Sequence, residues 1–214
     1  MLLTLISDTH GAHSRLKIAE CDALIHAGDF SAGRGGRDDL SGFLKWFAVQ
    51  PARVKILVAG NHDFYCQNFP AETRDLCGEA GVIYLQDEEA RAGSLRVWGS
   101  PWQPEFGDWA FNLPRGSPLA RMWSAIPEEI DILVTHGPPW GILDATRRGP
   151  RVGCEMLRHE LERVRPRLHL FGHIHEDAGR LEQDGTIFVN ASCWEFGQPL
   201  RQPQILRLEP RSQE

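Results

Sequence analysis

No apolar run in this 214-residue chain approaches the roughly 20 residues that a membrane-spanning helix needs, which removes a membrane-embedded reading. The opening run Leu2 to Ile6 has no basic flank, is shorter than the roughly 7–15 residues of a signal-peptide core, and leads straight into Asp8. Nor is there a pair of cysteines at the two-residue spacing of a zinc knuckle. The five that exist, Cys21, Cys66, Cys77, Cys154 and Cys193, are odd in number and are expected as free buried thiols in a reducing compartment. A cytoplasmic location follows as the expectation. Basic residues are not in excess either: 23 Lys and Arg stand against 29 Asp and Glu, for a net charge of -6. That balance gives no global reason to bind a nucleic-acid polymer, and the local group Arg147, Arg148 and Arg151 is expected as a solvated loop. Repeats, low-complexity segments and interdomain linkers are absent, so residues 1–214 are expected to form one domain.

What is present is one design used five times: an apolar run that stops at Asp, Asn or His. Leu2 to Ile6 precedes Asp8 and His10; Ala23 to Ile25 precedes Gly28 and Asp29; Ile56 to Val58 precedes Gly60, Asn61, His62 and Asp63. Ile130 to Val134 precedes His136, and Leu168 to Phe171 precedes Gly172, His173 and His175. Continuous apolar runs mark strands covered on both faces, and open α/β sheets carry their sites at the carboxyl ends of such strands. Asp8 and His10 are two apart, as are His173 and His175, and in extended chain that spacing points both side chains the same way.

Along the chain, Ser14 is expected to cap a short helix to about Ala19. His26 lies inside its strand and is taken as a core or supporting histidine rather than a ligand. The glycine-rich segment from Ser31 to Arg37 suits a loop beside the cleft. Leu40, Phe43, Leu44 and Phe47 have helical spacing within a helix from Asp38 to Gln50. With a third strand at Val54 to Val58, the first 60 residues alternate as parallel units do. Val82 to Leu85, Ala90 to Arg91, Leu95 to Trp98, Ala178 to Leu181, Thr186 to Val189 and Gln204 to Leu208 are expected in a second, partly antiparallel sheet. Pro101 to Pro118 is a long irregular stretch holding Trp102, Phe106, Trp109 and Phe111. Aromatic burial and stacking on a bound ring are both open readings for it. Short and long helices are expected at Leu119 to Ala125 and Arg151 to Val164, with His159 at the surface.

Collected, the candidate ligands are Asp8, His10, Asp29, Asn61, His136, His173 and His175, all oxygen or nitrogen donors. They exceed what one ion takes, so two divalent ions about 3.5–4 Å apart are expected. Imidazoles with carboxylates and an amide suit manganese, iron or zinc rather than calcium or magnesium; Mn2+ is the first expectation, with Fe or Zn as alternatives. Four positive charges against Asp8 and Asp29 leave an excess of about two, matching a phosphate ester. Two such ions polarise phosphoryl oxygens and lower the pKa of a bridging water. His62, beside Asn61, is the candidate to contact substrate and protonate the leaving oxygen; Asp63 is the candidate to orient or charge that imidazole.

These ordered blocks resemble the calcineurin-like metallophosphoesterases. Trp98 to Trp102, Phe111 to Gly116, Thr135 to Pro139 and Val189 to Ser192 further resemble the metallophosphoesterase domain-containing protein subfamily. The resemblance implies a four-layer α/β/β/α sandwich of two mixed sheets. It implies that Asp8, His10, Asp29 and His175 hold a first metal and that Asp29, Asn61, His136 and His173 hold a second, with Asp29 bridging. It also implies that His62 contacts the scissile phosphate as the acid. Some animal members of the subfamily carry glycine where this chain has His173, so fuller activity is expected here. From the resemblance comes phosphodiesterase action on small diesters, including cyclic nucleotides. A phosphomonoesterase acting on phosphoprotein or a small molecule is the alternative, and a metal-bound interaction module without turnover is a third reading.

Overall fold

In the computed structural model, which describes residues 1–195 and 197–209, each apolar run is divided between two cores by the twofold alternation of an extended chain. The strands and helices are β1 (Leu2–Ile6), β2 (Cys21–Ala27), α1 (Arg37–Ala48), β3 (Ala52–Val58), α2 (Phe64–Asn68), α3 (Pro70–Glu79) and β4 (Ile83–Tyr84). There follow β5 (Glu88–Ala92), β6 (Leu95–Ser100), β7 (Gln103–Pro104), β8 (Asn112–Leu113), α4 (Ser117–Trp123) and β9 (Ile132–Thr135). The chain continues with α5 (Glu155–Val164), β10 (Leu168–Phe171), β11 (Gly179–Gln183), β12 (Thr186–Asn190) and β13 (Gln204–Arg207).

The first sheet runs β13-β1-β2-β3-β4, with β1 to β4 parallel and β13 antiparallel at the edge. The second runs β11-β12-β10-β9-β6-β5, with a parallel centre and antiparallel edges. Leu3, Leu5, Ile25, Ile56 and Val58 face Val97, Ile132, Val134, Leu168 and Leu170 in the core between the sheets. The alternate residues Ile6, Leu24 and Leu57 face outward and pack under α1, where Leu40, Phe43, Leu44 and Phe47 form the expected stripe. Leu133, Phe171 and Phe188 pack on the other outer face under Leu119 and Trp123 of α4 and Leu157, Leu161 and Val164 of α5. Each such side chain contributes about 1.5–3 kcal/mol by leaving water. The result is the α/β/β/α sandwich of two mixed sheets.

Several local expectations are corrected. Ser14 caps nothing: His13–Arg15 is a single 3-10 turn entered from Ala12, and Leu16 leaves it extended to bury its side chain beneath α1. A run this short cannot recover the cost of helix nucleation. Two helices, α2 and α3, fill the segment before β4, the second opened by Pro70 at its first position. That crossover lays β4 beside β3, so Val82 to Leu85 joins the first sheet and not the second. Gln204 to Leu208 likewise joins the first sheet, antiparallel to β1. Helix α5 begins at Glu155, and Cys154 is its cap, its Sγ accepting the Leu157 N–H at 3.4 Å.

The sheets are stitched together at one end. Ser7, just past β1, donates its N–H to Ala191 O at 3.0 Å and accepts from Cys193 N–H at 2.8 Å. At the same end Gly172 N–H bonds His136 O at 2.9 Å, so the loops after β9 and β10 are tied as well.

Candidate metal centre

All seven candidate ligands sit in the loops after β1, β2, β3, β9 and β10, at the carboxyl ends of parallel strands. Their backbone is not the extended chain expected. Asp8, His10, Asp29 and His173 have φ of 51°, 42°, 58° and 68°, the left-handed region that residues with a Cβ rarely occupy. Two-residue spacing therefore does not bring pairs together by alternation. Asp8 and His10 do share one cluster, but through two left-handed residues, whereas His173 and His175 are directed to different clusters.

In the first cluster, His175 Nε2 lies 3.2 Å from Asp8 Oδ1 and 3.2 Å from His10 Nε2. Ligands of a tetrahedral ion at about 2.0–2.1 Å stand about 3.3 Å apart, so this is the edge length of a coordination shell. In the second, His136 Nε2 lies 2.9 Å from Asn61 Oδ1 and 3.5 Å from Asp29 Oδ2, and the His173 ring stands 5.0 Å from the His136 ring. Asp29 Oδ2 is also 3.9 Å from His10 Nε2, so this carboxylate faces both clusters. Tautomers agree with ligation: His10 Nδ1–H donates to Ser31 O at 3.2 Å and His136 Nδ1–H to Ala27 O at 2.9 Å. With Nδ1 so engaged, each ring turns Nε2 inward, the nitrogen that a cation would take in place of a proton. The backbone also closes on the donors. A Cβ on Gly60 would stand 2.3 Å from Asp29 Oδ1, and one on Gly172 only 2.0 Å from Asp8 Oδ2. The arrangement fits a pair of divalent cations, with imidazole, carboxylate and amide donors and no thiolate.

Residues 1–177 match the family model described as calcineurin-like phosphoesterase. The chain belongs to that family. The phosphoesterase is 41% identical over 227 residues to metallophosphoesterase domain-containing protein 1 of Homo sapiens and equally to that of Mus musculus, spanning 95% of this chain and 69% of theirs. It is 35% identical to a UPF0046 protein of Caenorhabditis elegans, over 96% of this chain and 74% of that one. A solved structure superposes with a TM-score of 0.64 at 15% identity, covering 88% of this chain and 89% of the other, a likeness of fold alone.

Electrostatics in the phosphoesterase follow from burial and from the paired signs. For Asp8 burial opposes ionisation, but the hydrogen bond and charge of His175, with His136 and His10, outweigh it and hold the carboxyl far below its usual range. For Asp29 burial is likewise outweighed, chiefly by His136, leaving it at about 2. Burial opposes the charged form of His136, yet the Asp29 carboxylate raises it to about 9. His175 is raised in the same way by Asp8, against burial. Burial, helped by the charge of His136, pushes His173 down to about 3, and burial lowers His10.

His62 is held by its own loop. Its N–H donates to Asp29 Oδ1 at 2.7 Å, and its Nδ1–H donates to Gly33 O at 2.7 Å, which leaves Nε2 facing the cleft 3.9 Å from Asp29 Oδ2. Asp63 does not meet that ring. Its carboxylate is buried and accepts the backbone N–H groups of Asp29, Ser31 and Gly60 at 2.9, 3.0 and 2.7 Å, fastening the loops after β2 and β3 to each other. Burial and the charge of Asp29 push it up to about 7.

Above the clusters opens a cleft of about 370 Å³, floored by Asp29, Asn61, His62, His173 and His175. Of the aromatics between Pro101 and Pro118, two are packed away from the cleft and two face it. Phe111 is fully buried and Trp102 packs edge-on against it, donating its indole N–H to Asp87. Phe106 and Trp109 instead line the cleft. Trp109 lies 4.2 Å from the His62 ring, and Phe106 meets His173 edge-on at 5.0 Å. Arg34 of the glycine-rich loop donates to Asp108, clasping that loop to the aromatic one.

Some supporting groups had no signal in the sequence. Ala27, Ser31 and Gly33 act through backbone carbonyls, which any residue has. Trp194 packs edge-on against His10 at 5.6 Å and stood in no recognisable pattern. Arg151, expected on a solvated loop, donates to the fully buried Asp144 at 2.7 Å and so fixes the loop it lies on.

Proposed function

We propose that this phosphoesterase is a dimetal phosphodiesterase that hydrolyses small phosphodiesters, cyclic nucleotides among them. The observation that supports it is a cleft whose floor includes Asp29, Asn61, His173 and His175 of the donor set and whose wall is Phe106 and Trp109. At about 370 Å³ it falls in the lower part of the roughly 300–1,000 Å³ range of small-molecule sites, a size for a small ester rather than a polymer.

Asp8, His10, Asp29 and His175 would hold one ion and Asp29, Asn61, His136 and His173 the other, with manganese the expected metal. When bound, the pair supplies Lewis acidity toward phosphoryl oxygens and an activated water. The chain's own residues do the rest. Asp29 faces both donor clusters and fixes their spacing. The Nδ1–H bond to Gly33 O aims His62 Nε2 at the cleft, from which a protonated ring can hand its proton to the departing ester oxygen. Asp63 keeps His62 and Asp29 in register through the backbone. The indole of Trp109 covers one side of the His62 ring and offers a flat apolar surface to the organic part of a diester. Five free buried cysteines suit a cytoplasmic enzyme.

Hydrolysis of bis-p-nitrophenyl phosphate and p-nitrophenyl phosphate with Mn2+, followed by a panel of 2′,3′- and 3′,5′-cyclic nucleotides, tests the proposal. A higher kcat/KM for the diester is expected. A clear preference for the monoester would replace this reading with a phosphomonoesterase.

A further inference from the structure

Two fully buried histidines outside the donor set occupy matching places in the two sheets. His26 stands in β2 and His169 in β10, and both are completely shielded from solvent. His26 Nδ1 accepts the Gly28 N–H at 3.1 Å, so its proton is on Nε2, which donates to Thr9 Oγ1 at 3.1 Å. Thr135 Oγ1 donates to Gly137 O at 2.7 Å, so its lone pair receives the proton of His169 Nε2 at 2.8 Å. Each imidazole thus ends on a buried threonine hydroxyl at the carboxyl end of the neighbouring parallel strand, Thr9 in the loop after β1 and Thr135 as the last residue of β9.

The threonines are the residues that matter. Thr9 sits between Asp8 and His10, both left-handed, a conformation that persists only where surrounding contacts over-determine it. Thr135 immediately precedes His136, and its bond to Gly137 O closes the turn around that ligand. Packing alone does not call for imidazole at either position. His26 is bounded by Phe43 and Phe47, and His169 by Phe171 and Phe188. His169 Nδ1 moreover has no hydrogen-bond partner, a desolvation cost that an aliphatic residue would avoid. A polar group kept at such a cost is explained by the single donor it directs at Thr135.

We propose that His26 and His169 are positioning residues, one for each half of the metal centre. His26 braces Asp8 and His10 through Thr9, and His169 braces His136 through Thr135. The proposal rests on the metal-centre reading, and for Thr9, Thr135 and His169 it predicts a loss confined to one half, which a general contribution to stability would not give.

The test is calorimetric titration of the metal-free full chain with Mn2+, the two halves identified by the step each of His175→Ala and His136→Ala removes. Thr9→Val is expected to weaken the half built on Asp8, His10 and His175 about 10–100-fold, and Thr135→Val the half built on Asn61, His136 and His173 by the same factor. Each should leave the other half within about threefold. His169→Leu should repeat the effect of Thr135→Val, and His169→Gln, which returns an N–H donor, should recover most of it. His26→Leu also frees the Gly28 N–H next to Asp29 and should weaken both halves. Parent-like isotherms in both folded threonine variants, or equal losses in both halves, overturn the proposal alone. A parent chain that takes up no Mn2+ overturns the metal centre with it.

Discussion

At the scale of single residues, the site works by fixing which nitrogen of each imidazole is free. Backbone carbonyls take the Nδ1 protons of His10, His62 and His136, so all three direct Nε2 inward. Replacing His62 with alanine removes the proposed proton donor and no proposed ligand. We expect kcat on a diester to fall about 10²–10⁴-fold, while the Mn2+ content of the purified variant stays at the parent level. A variant with undiminished turnover would dismiss His62 as the acid. His136 also sets a pH dependence for the metal-free protein. Its folded pKa, near 9, lies above the usual 6.5 because Asp29 outweighs burial. Its contribution to stability is fully present below about 6.5 and lost as pH rises through 9. Asp63, raised to about 7, has given up most of its contribution by that point, and Asp29, near 2, gained its own at much lower pH. Thermal melts in chelator should therefore fall from pH 7 to pH 9, and a flat or rising profile would contradict the pairing of His136 with Asp29.

At the scale of elements, the strand ends matter more than the strands. Gly60 and Gly172 sit where backbone and ligand oxygens approach too closely for a methyl group. Gly60→Ala should displace Asp29 and Gly172→Ala should displace Asp8, each lowering Mn2+ uptake at least tenfold in a direct binding assay. Gly42, exposed on α1 with nothing within 4 Å of an added Cβ, provides the contrast. Gly42→Ala should raise stability by about 0.5–1 kcal/mol in denaturant titration and leave metal uptake unchanged. Much of this level could be read in advance. The apolar runs of β1, β2, β3, β9 and β10 and the aromatic stripe of α1 announce themselves by period and by where they stop. Helices α2 and α3 did not: the first is five residues long, and the second buries only Thr73 and Cys77, so no apolar period marks either.

At the scale of the whole molecule, the donor set joins the sheets in addition to their shared core and the backbone bonds of Ser7 to Ala191 and Cys193. Asp8, His10, Asp29 and Asn61 come from the first sheet, and His136, His173 and His175 from the second. A cation held by both couples its binding energy to their packing, and ligand at 100 times its Kd adds about 2.7 kcal/mol. Saturating Mn2+ should raise the melting temperature by several degrees, and EDTA should reverse the shift together with hydrolysis. No shift in a protein that binds Mn2+ would mean that the ions leave the two sheets uncoupled. The sequence by itself determined the inventory: the buried strands, the oxygen and nitrogen donors at their ends, and the absence of thiolate ligands, because burial and turn chemistry act over a few neighbouring residues. Only the tertiary structure decided that His173 and His175 part company, that Gln204 to Leu208 closes the first sheet, that Asp63 serves the backbone and not His62, and that His26 and His169 end on threonines. Those outcomes depend on left-handed turns and on contacts between residues up to 207 apart, as in the pair of Met1 and Leu208. No local pattern encodes where such distant segments meet.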